Sequence, residues 1–206
     1  MRCFLFILVV FLSACVSLPK LPPLPASQLD SWRLKGRIAI STDSESWTAS
    51  VYWQQQGSAY QLRLNLPIGQ GALLLQADDK GVIMRTADNK TYQATDADAL
   101  MSDVLKLDMP VTNLQFWIRG IPAPQSSPDR YLLNDKKQLQ HLQQEGWFIT
   151  YLHYVNVEGM ALPKKMFLEN QSFKVKIAIL EWVINSKKPP LKNLSSVLKY
   201  NIFRYD

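Results

Sequence analysis

From Trp32 onward, apolar residues fall on every second position. Leu34, Gly36, Ile38 and Ile40 alternate with Arg33, Lys35, Arg37 and Ala39. Trp47, Ala49, Val51 and Trp53 alternate with Ser46, Thr48, Ser50 and Tyr52, and Tyr60, Leu62, Leu64 and Leu66 with Gln61, Arg63 and Asn65. A strand points successive side chains to opposite faces, so a period of two predicts half-buried strands. Asp43-Ser44 and Gln56-Gly57-Ser58 have the composition of hairpin turns. The meander continues over residues 71–77, 81–86 and 90–93. Short strands joined by tight turns predict one antiparallel sheet, with one face on a core and one in water.

At Asp96 the period lengthens. Asp96 and Asp98 suit the start of a helix with Leu100, Met101, Val104 and Leu105 on one face. Pro110 predicts a second helical start, followed by Leu114, Trp117 and Ile118, with Gly120 as the stop. Strands resume over 129–133, 138–144, 147–154, 165–169 and 173–184. Two helices inserted in a long meander predict an α+β fold: a curved antiparallel sheet with helices on its concave side. No internal repeat is present.

The N-terminus carries a different pattern. Arg2 precedes an apolar run from Phe4 to Leu12, and small residues follow up to Cys15. A cation, a short apolar core and small residues describe a secretory signal over residues 1–14. The run is about half the ~20 residues that a transmembrane helix needs. Leu12-Ser13-Ala14-Cys15 resembles the bacterial lipobox, which implies cleavage before Cys15 and lipid on its thiol and amine. The alternative is a plain signal with a chance cysteine. Pro19, Pro22, Pro23 and Pro25 follow. Proline at that density blocks helix and sheet and predicts an extended tether over residues 15–31.

Cleavage leaves 192 residues, enough for one domain with a real core, placed at residues 32–185. Cys3 departs with the signal and Cys15 carries lipid, so no disulfide is expected, although an exported compartment would allow one. Packing must then supply the stability. The chain is 47% apolar, with six Trp, eight Tyr and eight Phe.

The net charge of +6 is unevenly spread. Lys187, Lys188, Lys192, Lys199 and Arg204 stand against Asp206 in the last stretch, and the body is close to neutral. A basic isoelectric point here describes a tail, and no nucleic-acid partner is expected. Over residues 186–206, after Pro189-Pro190, Leu191, Leu194, Leu198, Ile202 and Tyr205 recur at three- and four-residue spacing. That fits an amphipathic helix on an anionic surface, a helix docked on the domain, or a frayed tail.

Catalytic chemistry finds little support. His141 and His153 both fall in predicted strands, without a second histidine or cysteine at metal-ligand spacing. His141 is expected to face solvent, and His153 to be a satisfied residue on a strand face. No nucleophile elbow occurs. Gly69-Gln70-Gly71 has too few glycines for a phosphate loop and precedes a strand. Asp78-Asp79 and Asp96/Asp98 are explained as turn and cap. No catalytic residue, metal or cofactor is expected.

The surplus of apolar side chains allows two readings, a tight core or a cavity for something greasy. Exposed acyl chains cost about 0.8 kcal/mol per CH₂ in water. Exported lipoproteins therefore need shelter, and a curved sheet capped by helices can provide it. In the same vein, Asn65-Leu66-Pro67-Ile68-Gly69 joins two apolar strands and places Ile68 near a turn tip. Tips normally carry Asn, Asp, Gly or Ser. Ile68 either meets a membrane or partner, or folds back on the core.

Several segments stand in order along the chain: Lys35-Gly36-Arg37, Tyr52-Trp53-Gln54-Gln55, Tyr60-x-Leu62-x-Leu64 and Pro67-Ile68-Gly69. Downstream follow Met109-Pro110-x-x-x-Leu114, Trp117-Ile118-x-Gly120-x-Pro122, and Lys174-x-Lys176 before Trp182. Together they resemble the LolB family of outer-membrane lipoproteins. The resemblance covers about residues 32–182 and implies an incomplete antiparallel β-barrel, closed by helices over an apolar cavity for acyl chains. Trp53, Leu64, Met101, Leu105, Trp117 and Ile149 are the candidate cavity residues, chosen for apolarity and strand phase. The family's loop carries a protruding apolar residue, usually leucine, that promotes release into the membrane, and Ile68 with Pro67 and Gly69 occupies that loop. Val16 is not the aspartate that typically retains lipoproteins in the inner membrane.

The implied function is a lipid-anchored receptor facing the periplasm. It takes triacylated lipoproteins from the periplasmic carrier LolA and inserts them in the inner leaflet of the outer membrane. A monomer is expected. The rival is a structural lipoprotein with a solid core that binds protein partners. The extension after Asn185 departs from the family pattern.

Overall fold

The computed structural model describes residues 25–66 and 71–184. Cys15, the Pro67-Ile68-Gly69 loop and the basic extension 186–206 lie outside the described residues.

Alternation produces the expected strands. β1 (Ser31–Ser41), β2 (Ser46–Gln56), β3 (Ala59–Asn65), β4 (Ala72–Asp78), β5 (Gly81–Arg85) and β6 (Thr91–Ala94) form a first meander. After two helices come β7 (Arg130–Leu133), β8 (Leu139–Gln144), β9 (Trp147–Val157), β10 (Met160–Glu169) and β11 (Lys174–Ile184). All eleven join one antiparallel sheet in the order β6-β5-β4-β3-β2-β1-β11-β10-β9-β8-β7. Pairing of β1 with β11 fuses the two meanders at their centre. The edges β6 and β7 do not pair with each other, so the barrel is incomplete. Both edges are only four residues long, which limits the unpaired backbone offered to other chains.

The helices occupy the chain between those two edges. α1 (Ala97–Leu105) begins at Asp96, whose carboxylate accepts from the Ala99 N–H at 2.8 Å. It ends at Lys106 in the left-handed region. α2 (Val111–Trp117) begins after Pro110. Gly120 follows at φ +76°, and a Cβ there would sit 3.0 Å from the Tyr154 hydroxyl. Hand and space both require glycine at that position.

A bulge at Lys35/Gly36 shifts the register of β1 against β11 and leaves Leu180 unpaired and 67% exposed. At Gly36 a Cβ would meet the Ala178 carbonyl at 2.6 Å, so the two central strands approach closely only over glycine.

Two boundaries differ from expectation. β9 and β10 meet at a Glu158-Gly159 hairpin, and so extend through a stretch left unassigned in the sequence. The stretch expected as tether also contributes to the fold. Pro25–Gln28 form a 3-10 turn, and Ala26 and Leu29 are buried in the core. One apolar cluster runs from Ala26 to Ile184. No described helix is long and apolar enough to cross a membrane.

Candidate functional site: the apolar interior under the helices

The inward phase of the central strands places Ile38, Ile40, Val51, Trp53, Leu62 and Leu64 on the concave face. Met101 of α1, Leu107 and Met109 of the connection, and Val111 and Leu114 of α2 close over them. Every residue lining this interface is apolar. The void between the two layers is about 30 Å³, close to the share of one water molecule. With no polar partner on any side, such a void stays dry. The interior is closed.

Trp53, Leu64 and Met101 line this void. The other three candidates sit elsewhere. Leu105 is half-buried at the end of α1, against the core. Ile149 is fully buried on β9. Trp117 is fully buried and turned toward β8, where its indole N–H donates to Gln144 Oε1 at 2.8 Å.

Trp53 is held in place by polar and aromatic neighbours. Its indole N–H donates to Gln55 Oε1 at 3.1 Å, and Gln55 Nε2 donates to the Gly57 carbonyl at 2.8 Å and to Gln115 on α2 at 3.3 Å. Trp182, Trp32, Trp53 and Tyr60 form a row across β11, β1, β2 and β3, with successive centroids 5.5, 5.3 and 5.9 Å apart. Such tilted pairs add about 0.5–1.5 kcal/mol beyond area burial.

The ends of the helical cap are anchored unequally. At the C-terminal end of α2, Arg119 donates to the Ala26 carbonyl at 3.2 Å, the Leu29 carbonyl at 2.9 Å and the Gln115 carbonyl at 3.0 Å. Burial lowers the Arg119 pKa, against an opposing pull from Asp30. The Tyr151 hydroxyl donates to the Trp117 carbonyl at 2.9 Å, and burial pushes that phenol's pKa upward. Toward α1 a single polar tie is present among the described residues, Asp98 Oδ1 accepting from the Thr112 N–H at 3.0 Å. Beyond it, α1 rests on β6 and α2 through apolar contact.

Gln55, Arg119 and Gln144 were not identified from the sequence. Gln55 did carry a signal, since it shares the inward phase of Val51 and Trp53. The histidines lie away from this interior. His141 Nδ1 is 3.2 Å from the Thr150 hydroxyl, with its ring stacked on Phe148, and His153 is exposed.

A family model described as Outer membrane lipoprotein LolB matches residues 30–182. The chain belongs to the LolB family. Two relatives named Outer-membrane lipoprotein LolB come from Ectopseudomonas mendocina (strain ymp) and Pseudomonas syringae pv. syringae (strain B728a). They are 36% and 35% identical over 156 residues, which are 76% of this chain and 76% of each relative. Membership bears out the expected outer-membrane placement and the receptor role in lipoprotein localisation.

Solved structures resemble the fold at low identity. A DUF1329 family protein from Desulfovibrio piger aligns at TM-score 0.57 and 8% identity, over 80% of this chain and 89% of that one. A LolA superfamily protein from Nitrosomonas europaea aligns at TM-score 0.50 and 7% identity, over 78% and 89%. The open, helix-capped sheet is thus an architecture shared with the LolA superfamily.

Proposed function

We propose that this LolB-family receptor takes acylated lipoproteins from a periplasmic carrier of the LolA kind. The acyl chains lie between the concave face and the helical cap, and leave for the outer membrane. One observation carries this: the layer between the cap and the central strands of the sheet is apolar on every side. Each sheltered CH₂ is worth about 0.8 kcal/mol, so a triacylated cargo gains tens of kcal/mol from entering such a layer. No nucleotide is needed when the bilayer is the final sink.

Because the void holds about 30 Å³, cargo must open it. The unequal anchoring suggests which part moves. α1 and the 106–110 connection swing out, while the end of α2 stays fixed through Trp117, Arg119 and Gly120. Cys15 supplies the lipid anchor, the proline-rich stretch after it supplies reach, and Ile68 assists release by entering the lipid.

Transfer tests the proposal. A carrier is loaded with radiolabelled lipoprotein, and the receptor without its lipid is added. Label remaining on the carrier refutes acceptance. Ile68→Glu should accept cargo normally and stall its delivery to vesicles, and unchanged delivery removes the role of the loop.

The small void also favours a second reading, a structural lipoprotein with a solid core. A lipopeptide bearing a spin-labelled acyl chain separates the two. Quenching of tryptophan emission that is reduced in Trp53→Phe places the chain inside, and quenching that is absent leaves the solid core.

A further inference from the structure

The outer face of the sheet carries a second concavity, of about 620 Å³. Strand register builds it. Asn65, Ser50, Arg37, Ala178 and Lys165 stand opposite one another across β3, β2, β1, β11 and β10. In the adjacent row Thr48, Ala39, Lys176 and Phe167 do the same. Small side chains form the floor, and Arg37, Lys165 and Lys176 form the walls. Strands spaced about 4.8 Å apart make the first row roughly 19 Å wide.

The lining holds donors and no carboxylate. Arg37, Lys165 and Lys176 take part in no ion pair among the described residues. Glu181, the acid on neighbouring β11, is taken by Lys35 at 2.7 Å. Lys165 and Lys176 flank the Phe167 ring, with ammonium groups 6.0 and 5.8 Å from its centroid. The exposed Leu180 follows Ala178 on the same strand. The body of the chain is near neutral, so this clustering is local.

We propose that this outer concavity binds the phosphate of an anionic phospholipid headgroup. Three cations with hydroxyl and amide donors suit a phosphate and glycerol unit. Phe167 and Leu180 offer an apolar border of the kind found where side chains meet a bilayer interface. A floor of alanine, serine and threonine admits one protruding group better than a flat protein surface. Asn65 and Leu66 in its wall lead directly into residues 67–70, a connection whose base is closed by the Leu66 N–H to the Gly71 carbonyl at 3.0 Å. Ile38 and Ile177 line both this concavity and the interior proposed for acyl chains, whereas Arg37, Lys165 and Lys176 line the outer one alone.

The test uses the mature polypeptide made without lipid (Cys15→Ser), with all described residues present. It is floated with vesicles of phosphatidylcholine, with or without phosphatidylglycerol. Binding should require phosphatidylglycerol, fade with salt, and weaken roughly fivefold in each of Lys165→Gln and Lys176→Gln. Amine acetylation read by mass spectrometry should show Lys165 and Lys176 protected by those vesicles. Unchanged thermal unfolding certifies that the variants are folded.

Equal binding to both vesicle types overturns the proposal. So does weakening confined to Lys187→Gln or Lys188→Gln, which assigns attraction to the tail. Protection by inorganic phosphate alone assigns a free anion instead, and protection only by the carrier assigns an acidic protein. Cargo leaving the carrier is read separately, so either proposal can fail alone.

Discussion

Trp117 and Gln144, 27 residues apart in sequence, share a buried hydrogen bond of 2.8 Å from indole N–H to amide oxygen. Gln144 has no exposed surface. Its oxygen also accepts from the Ala123 N–H at 2.9 Å, and its nitrogen donates to the carbonyls of Ala123 at 2.8 Å and Ser126 at 2.7 Å. One amide thus ties α2, the following loop and β8 together. Gln144→Leu keeps the volume and strands those partners. An unsatisfied buried group costs about 1–3 kcal/mol, so a loss of about 3 kcal/mol or more is expected. Urea unfolding measures it, and a loss under ~1 kcal/mol would show that the network is not what fixes α2.

Gly120 and Gly146 have nearly the same backbone, φ +76° and +74°, in different surroundings. A Cβ at Gly146 meets nothing within 4 Å, and one at Gly120 meets the Tyr154 hydroxyl at 3.0 Å and Pro163 Cγ at 3.2 Å. That hydroxyl cannot yield freely, since it donates to the Leu139 carbonyl at 2.7 Å. Gly146→Ala should cost about 1 kcal/mol, the strain of the left-handed region alone. Gly120→Ala should cost at least ~1 kcal/mol more, as overpacking does. Equal melting temperatures in the two variants would rule out the contact as a contribution.

The strands were legible because one face of each is buried. Trp32–Ile40 and Tyr60–Leu64 keep a strict alternation, and it survives intact as burial. The Glu158-Gly159 hairpin was missed for the opposite reason. Residues 154–157 are half-buried or exposed, so no alternation marks them, although both turn residues take positive φ. Asp96 and Pro110 announced the helices through local chemistry that needs no partner. Arg119 and Gln144 could not be read, because their burial depends on carbonyls far away in sequence, at Ala26 and Leu29 for the arginine. The closed interior was equally illegible. Composition counts apolar side chains and does not say how tightly they meet. Trp117 and Ile149 belong to the same apolar set as Trp53, and only tertiary placement separates core from void lining.

Alkaline pH should unfold the domain through its tyrosines. Burial raises the pKa of Tyr60, Tyr151 and Tyr154 above the ordinary 10.0, and the charges of Asp98 and Asp96 add to the effect at Tyr60. Above pH ~10 the unfolded chain releases these protons and the folded chain keeps them. The folded state then binds more protons, so stability is complete below that pH and falls above it. Each tyrosine contributes a slope of about 1.4 kcal/mol per pH unit. Urea midpoints from about pH 9 to 11, with phenolate absorbance, check this. A phenolate contribution from Tyr60, Tyr151 or Tyr154 before unfolding, read as the absorbance lost in the corresponding Phe variant, would contradict the buried assignment, and Tyr154→Phe should make the decline shallower.

Cargo entry should loosen one end of the cap and spare the other. Asp98 Oδ1 to the Thr112 N–H is the polar tie between α1 and α2, and apolar contact holds α1 otherwise. Trp117, Arg119 and Tyr151 hold the far end by hydrogen bonds that opening need not break. Amide hydrogen exchange with and without an acylated peptide reads both ends in one experiment. Exchange should rise on binding over α1 and residues 106–110, and stay slow over 114–120. Asp98→Ala should raise α1 exchange without cargo and speed uptake, because part of the opening cost is already removed. A cap that exchanges uniformly, or an α1 unchanged by saturating lipopeptide, would exclude a hinge at α2 and leave entry through the gap between β6 and β7 as the route.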